Sequence, residues 1–221
     1  MLTQYQEARR EVRADVLEVT EILARVNSEA LEAIKESDTN SLENIRKALK
    51  EINNKTEEID NKLVIIFARY TPEARDLREM VSYLKITSGL NRVKTSLNNY
   101  IKNMQSMLSE DDVNIIQFIK ESLSINRCTI NAFEKTIEMF KTFDDNDKVK
   151  NLATEIDVEY AKTDDIYALL EKSVIQKMTD TDGKAEEYFN LLKYLRKNLK
   201  IIDRLDSIAQ RIIFARMGGK L

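Results

Sequence analysis

The chain has 221 residues, of which 4 are glycine and 1 is proline, against about 26 expected from average usage. Turns and hairpins draw on those two residues, so a sandwich, a barrel or a doubly wound α/β fold is excluded and an all-α fold is expected. With no histidine, serine–histidine triads, histidine bases and histidine metal ligands are impossible. The net charge of −3 argues against a general nucleic-acid binder.

Apolar residues recur at spacings of three and four along nearly the whole chain. The first stretch carries Val12, Val16, Val19, Leu23, Val26, Ala30 and Ile34. It ends at the polar turn Ser37-Asp38-Thr39-Asn40, where Asn40 and Glu43 have the N-cap to N3 spacing. The second runs from Leu42 through Ile45, Leu49, Ile52, Ile59, Leu63 and Ile66 to Tyr70. It contains LVIIFARY, the longest apolar run, which is far too short to span a bilayer.

Thr71-Pro72-Glu73 then offers a cap before a proline at the first helical position. The third stretch has Leu77, Val81 and Leu84, followed by Ile86, Leu90, Val93, Leu97, Tyr100, Met104 and Met107. Gly89 interrupts it, costing about 1 kcal/mol against alanine, and close approach of a neighbouring helix is the expected reason. Ser109-Glu110-Asp111-Asp112 is the next start signal. A fourth stretch runs from Ile116 to Phe140, a fifth from Val149 to Met178 and a sixth from Tyr188 to Ile213. Asp144–Asp147 and Thr179–Gly183 separate them. Cys128, mid-helix, is the only cysteine and reads as a small buried filler.

Six helices of about 30 residues are expected, antiparallel because their connections are short. The break at Ser109 divides the chain into residues 1–109 and 110–221, read as two tandem three-helix bundles of the spectrin-like kind. A shift of 112 residues sets Leu90, Arg92 and Val93 against Ile202, Arg204 and Leu205. Arg92 and Arg204, equivalent in that repeat, are each expected to pair with an acid of their own bundle.

Residues 70–93, YTPEARDLREMVSYLKITSGLNRV, resemble the signature of the PhoU family of phosphate-uptake regulators. Pro72, Ala74, Asp76, Leu77 and Arg78 match its P-x-A-x-D-L-R, and Leu84, Lys85 and Ile86 its L-K-I. Leu90, Arg92 and Val93 match part of L-E-R-I-G-D. Ile202-Asp203-Arg204-Leu205 stands where the second half repeats it, and Asp164-Asp165-Ile166-Tyr167 is similar to D-x-L-Y.

The resemblance implies carboxylate pairs four residues apart on each third helix, completed by acids of the second helices, which together hold a multinuclear metal cluster. Here those positions are Asn91 and Thr95 in the first half and Asp203 and Ser207 in the second. On the second helices Asp60 is preceded by Thr56 and Asp164 by Tyr160. Asp60, Asp164 and Asp203 are therefore remnants, and no metal or cofactor is expected.

Asp76 and Arg78 are candidates either for docking a partner protein or for organising the helix start. Residues 184–221 carry nine Lys/Arg against four acids, a net of +5. Lys193, Lys197, Lys200, Arg204 and Arg211 fall on one helical face, either a solvated stripe or a docking surface for an acidic partner or lipid headgroups.

The expected function, by resemblance, is that of a cytoplasmic adaptor rather than an enzyme. It would contact the ATPase subunit of a phosphate ABC transporter and a sensor kinase, and so repress phosphate-starvation signalling. Such a chain would act as a homodimer and meet the membrane only through those partners. Three alternatives stay open: an accessory subunit of a low-affinity phosphate permease, a helical metal-storage protein or metal enzyme, and a coiled-coil scaffold unrelated to phosphate.

Overall fold

A computed structural model describes residues 2–110, 112–180 and 183–219. Among them there is no strand. The helices are α1 (Leu2–Lys35), α2 (Thr39–Ala48), α3 (Ile52–Tyr70), α4 (Ala74–Leu108), α5 (Val113–Lys141), α6 (Asn146–Asp180) and α7 (Ala185–Met217). No described helix is long and apolar enough to cross a membrane.

The periodic residues of the first stretch, Val12 through Ile34, are at most 1% exposed. They form the inner stripe of α1, the arrangement expected of an amphipathic helix on a core. The six-helix expectation needs one correction, because the second stretch is two helices. Between them, the Leu49 and Lys50 amides donate to carbonyls three residues back, at Arg46 and Lys47. Leu49 and Glu51 keep right-handed torsions, so the break is a tightened turn rather than a reversal. Both pieces pack on α1 and α4 and together occupy one helix position. Leu49 and Ile52 on either side are buried, so the apolar pattern runs through the break unaltered.

Two start signals also differ from expectation. Asp38, not Asn40, caps α2, accepting from the Ser41 amide at 3.0 Å. It sits directly after the end of α1, where the Ser37 amide bonds to Ile34 O and the Asp38 amide to Ala33 O with Ser37 left-handed at φ 57°. Thr71 does not cap α4; it closes α3 in a left-handed conformation, and α4 begins at Ala74. At the starts of α5 and α6 the signal holds, whereas α7 begins after Lys184 with no side-chain cap. Asp112 accepts from the Asn114 and Ile115 amides, and Asp145 from the Lys148 amide at 3.0 Å. Asp111, Thr181 and Asp182, parts of two expected turns, lie outside the described residues.

Leu77, expected in the core, is 41% exposed. The inner face at the start of α4 is instead Glu79, Met80 and Tyr83, because Glu79 turns inward to two arginines of α1.

One hydrophobic cluster runs through all the helices. Helix α4 packs most extensively on α7, α5 on both α6 and α7, and α1 on α5 as well as on α3 and α4. Three contacts fix the register of α4 against α7. A Cβ on Gly218 would lie 3.3 Å from Arg78 Nη1, and one on Gly89 would lie 3.1 Å from Ile208 Cγ1. Tyr100 and Asn198 meet at Asn126 Oδ1, at 2.9 and 2.7 Å. Rising along α4 means falling along α7, so the two helices are antiparallel and cross at Gly89 and Ile208.

Candidate functional site

The crossing leaves a cleft of about 290 Å³ lined by Lys85, Ser88, Gly89 and Arg92 of α4 and Arg204, Ser207, Ile208 and Arg211 of α7. Gly89 sets its floor: with no side chain there, Ile208 reaches the backbone of α4, the close approach expected from the sequence. Spacings of 0, 3, 4 and 7 bring each set of four to one face of its helix. Arg92 does not find the acid expected for it. Among the described residues it makes no ion pair, and Arg204 has only its chain neighbour Asp203, at 3.5 Å.

The basic stripe of α7 is thus divided. Arg204 and Arg211 belong to the cleft, whereas Lys193 and Lys200 are exposed and Lys197 is half-buried. Lys85 stands in the sequence only as part of the L-K-I match and Ser207 only as a degenerate ligand position, and Ser88 belongs to neither. The signal was present, because [K/R]-x-x-S-x-x-x-R occurs at residues 85–92 and again at 204–211.

Asp76 is engaged within the chain, whereas Arg78 packs beside Gly218 with its Nε buried and without a hydrogen-bond partner. Arg9 bridges Asp76 at 3.4 Å and the buried Glu79 at 2.5 Å, while Arg13 reaches Glu79 at 3.3 Å and Tyr83 Oη at 3.2 Å. Arg13 and Arg216 lie 4.2 and 4.8 Å from the Phe143 ring, and Arg216 also holds Asp144 at 3.0 Å. Arg78 extends toward Gly218. This cluster joins the N-terminal parts of α1 and α4 to the end of α7 and to the connection before α6. Cys128 is buried, and burial followed by its hydrogen bond to Glu159 pushes its thiol up to about 11, far from thiolate chemistry.

The three carboxylate remnants separate into two places. In the first half, Asn91 Nδ2 donates to Thr56 Oγ1 at 2.9 Å. Asp60, with one carboxylate oxygen buried and lacking a hydrogen-bond partner, is pushed up by burial. In the second half Asp164 and Asp203 both act on Tyr160, whose hydroxyl is raised first by burial and then by those charges. Asp206 on the same side of α7 stands against Asp157 of α6; burial and that second carboxylate raise it to about 6.

Residues 16–104 match the family model described as the PhoU domain. Over those residues, less than half of its length, the chain is similar to the PhoU domain. The PhoU fold extends beyond the matched residues to the whole chain. A crystal structure of PhoU from Pseudomonas aeruginosa superposes with a TM-score of 0.85 at 20% identity, covering 97% of this chain and 100% of that one. The phosphate transport system regulatory protein PhoU from Streptococcus pneumoniae gives 0.75 at 19% identity, covering 98% and 99%. No curated protein matches by sequence.

The donor set does not fit the metal cluster that the PhoU resemblance implies. Of the four first-half positions, three are an amide and two hydroxyls, and the amide and one hydroxyl are bonded to each other. Such neutral donors cannot balance several divalent or trivalent ions. In the second half the two remaining positions are Ser207 and Tyr160, a second pair of neutral hydroxyls. Among the described residues, no three carboxylate or cysteine side chains gather to hold a metal ion.

Proposed function

We propose that the chain is a regulator of phosphate uptake that works through its surfaces, as an adaptor between the ATPase subunit of a phosphate ABC transporter and a sensor kinase. In this reading it acts in the cytoplasm, as a homodimer, and catalyses no reaction. One observation carries the proposal: a PhoU domain over residues 16–104 within a chain that shares its fold, end to end, with a protein named as a phosphate transport system regulator.

The side chains support contact rather than chemistry. The buried Glu79 is engaged with Arg9 and Arg13, and the one cysteine is held as a thiol. Residues 1–109 and 110–221 act as two modules, the boundary falling between the end of α4 at Leu108 and the start of α5 at Val113. Of the docking candidates, Asp76, Arg78 and Arg204 have partners or neighbours within the chain, which leaves Lys193, Lys197 and Lys200 of α7 for an acidic surface of the partner.

The test is deletion of the gene combined with capture of the tagged protein from cells grown in high and low phosphate. The expected outcome is phosphate-starvation signalling at high phosphate in the deletion strain, with the transporter ATPase and the kinase recovered on the tag. Unchanged starvation signalling and unchanged phosphate uptake in the deletion strain would overturn the reading.

A further inference from the structure

We propose that the cleft between α4 and α7 is a binding site for a small, multiply charged oxyanion of the phosphate type. The proposal stands on the chemistry of the cleft and does not rest on the regulatory reading above.

The cleft is built twice over. Helix α4 supplies Lys85, Ser88, Gly89 and Arg92, and α7 supplies Arg204, Ser207, Ile208 and Arg211. Because the helices are antiparallel and cross at Gly89 and Ile208, the two sets face each other about a local two-fold axis. Lys85 lies toward Arg211 and Arg92 toward Arg204. Four cations and two hydroxyls therefore surround one cavity, and no carboxylate lines it.

Several cations elsewhere that reach a neighbouring helix meet an acid there. Across helices, Lys55 holds Glu18 at 2.7 Å, Lys62 holds Asp15 at 2.6 Å, Lys135 holds Glu155 at 2.6 Å and Arg196 holds Glu171 at 2.8 Å. At the cleft, Lys85, Arg92 and Arg211 have no such partner among the described residues. The nearby acids are turned aside: Asp203 sits against Arg204 at 3.5 Å, and Asp206 stands against Asp157 of α6. The positions next to the cleft on α4, Asn91 and Thr95, are neutral. Like charges gathered in one concavity repel each other unless an anion joins them, and a concave cluster of one sign concentrates the opposite ion.

The donors also select the ligand. Guanidinium forks bind two oxygens of a phosphate at once, lysine adds a compact charge, and serine hydroxyls can donate to the remaining oxygens. Ser207 Oγ already bonds to the Asp203 carbonyl at 3.1 Å and would turn to do so. The volume, about 290 Å³, is at the lower edge of the roughly 300–1,000 Å³ of ligand pockets. That suits inorganic phosphate, pyrophosphate or a single phosphomonoester head. Metal cations are repelled.

The anion can come from free phosphate compounds or from the headgroup of an acidic lipid, and the test separates these sources. The full chain is titrated calorimetrically with inorganic phosphate and with pyrophosphate, at constant ionic strength with chloride as the competing ion. In parallel it is sedimented with vesicles of phosphatidylcholine alone or mixed with phosphatidic acid. The pocket variant is Arg92→Gln/Arg211→Gln; the control, Lys150→Gln/Lys172→Gln, removes the same charge from the exposed face of α6. All these side chains are exposed or half-buried, and melting curves verify that both variants fold.

The expected result is saturable binding of phosphate or pyrophosphate, weakened about tenfold or more in the pocket variant and changed less than about twofold in the control. Capture by phosphatidic acid vesicles with the same dependence on Arg92 and Arg211, but without saturable binding of the free anions, supports the site and assigns it to a lipid headgroup. Two results overturn it: no binding in either arm, or equal losses in the pocket and control variants, which would mark attraction to net charge alone.

Discussion

Asn91 Nδ2 donates a hydrogen bond to Thr56 Oγ1 at 2.9 Å, joining α4 to α3 at two positions where the PhoU resemblance calls for carboxylates. The pair holds two helices together with neutral groups where charged ligands would hold metal. Protein purified without added metal should therefore contain iron, zinc and manganese well below one ion per chain by elemental analysis. Near-stoichiometric metal would show that other side chains bind it.

Tyr100, Asn126 and Asn198 are fully buried and bring α4, α5 and α7 to a single acceptor, Asn126 Oδ1. Asn126→Leu leaves the phenol and the Asn198 amide without that acceptor. It should destabilise the fold by about 2–4 kcal/mol, read as a lower urea midpoint at unchanged slope. In a Tyr100→Phe background the loss should be smaller, since one orphaned donor is then absent.

Ser37 closes α1 with φ 57°, a left-handed conformation that costs a residue with a Cβ about 1–2 kcal/mol. Ser37→Gly should raise stability by about 0.5–1 kcal/mol, after allowance for the freedom glycine gains in the unfolded chain. A fall in the urea midpoint would show that the serine side chain contributes more than its backbone strain removes.

Asp206 holds its proton up to about 6 in the folded chain because burial and the Asp157 carboxylate disfavour its charge. Between the ordinary aspartate value and about 6, the native state binds more protons than the unfolded one. Its contribution to stability therefore falls as pH rises through that window and is flat above it. Asp206→Asn should remove this slope and make the protein more stable than the parent at pH 7–8. Urea midpoints across pH 4–8 provide the check, and parallel curves for parent and variant would refute it.

Much of this molecule is local and could be read from the chain itself. The scarcity of glycine and proline, and apolar residues every three or four positions, fix an all-helical fold and the buried stripe of each long helix, since both depend only on near neighbours. Asp112 and Asp145 cap helices at expected breaks for the same reason. Even the close helix approach at Gly89 is marked locally, by a glycine inside a helical pattern.

The tertiary structure decided which faces meet. The repeat aligns Arg92 with Arg204 at an offset of 112, yet the local two-fold of the cleft makes Lys85 the equivalent of Arg204, 119 residues apart and about two helical turns further along, and sets Arg92 beside Arg204. Only the antiparallel crossing at Gly89 and Ile208 turns two arginines expected to pair with acids into walls of one basic cavity. The inward turn of Glu79, the meeting at Asn126 and the tightened turn after Leu49 were hidden for a related reason. Each is settled by a partner on another helix or by backbone geometry, and the hydrophobic pattern records neither.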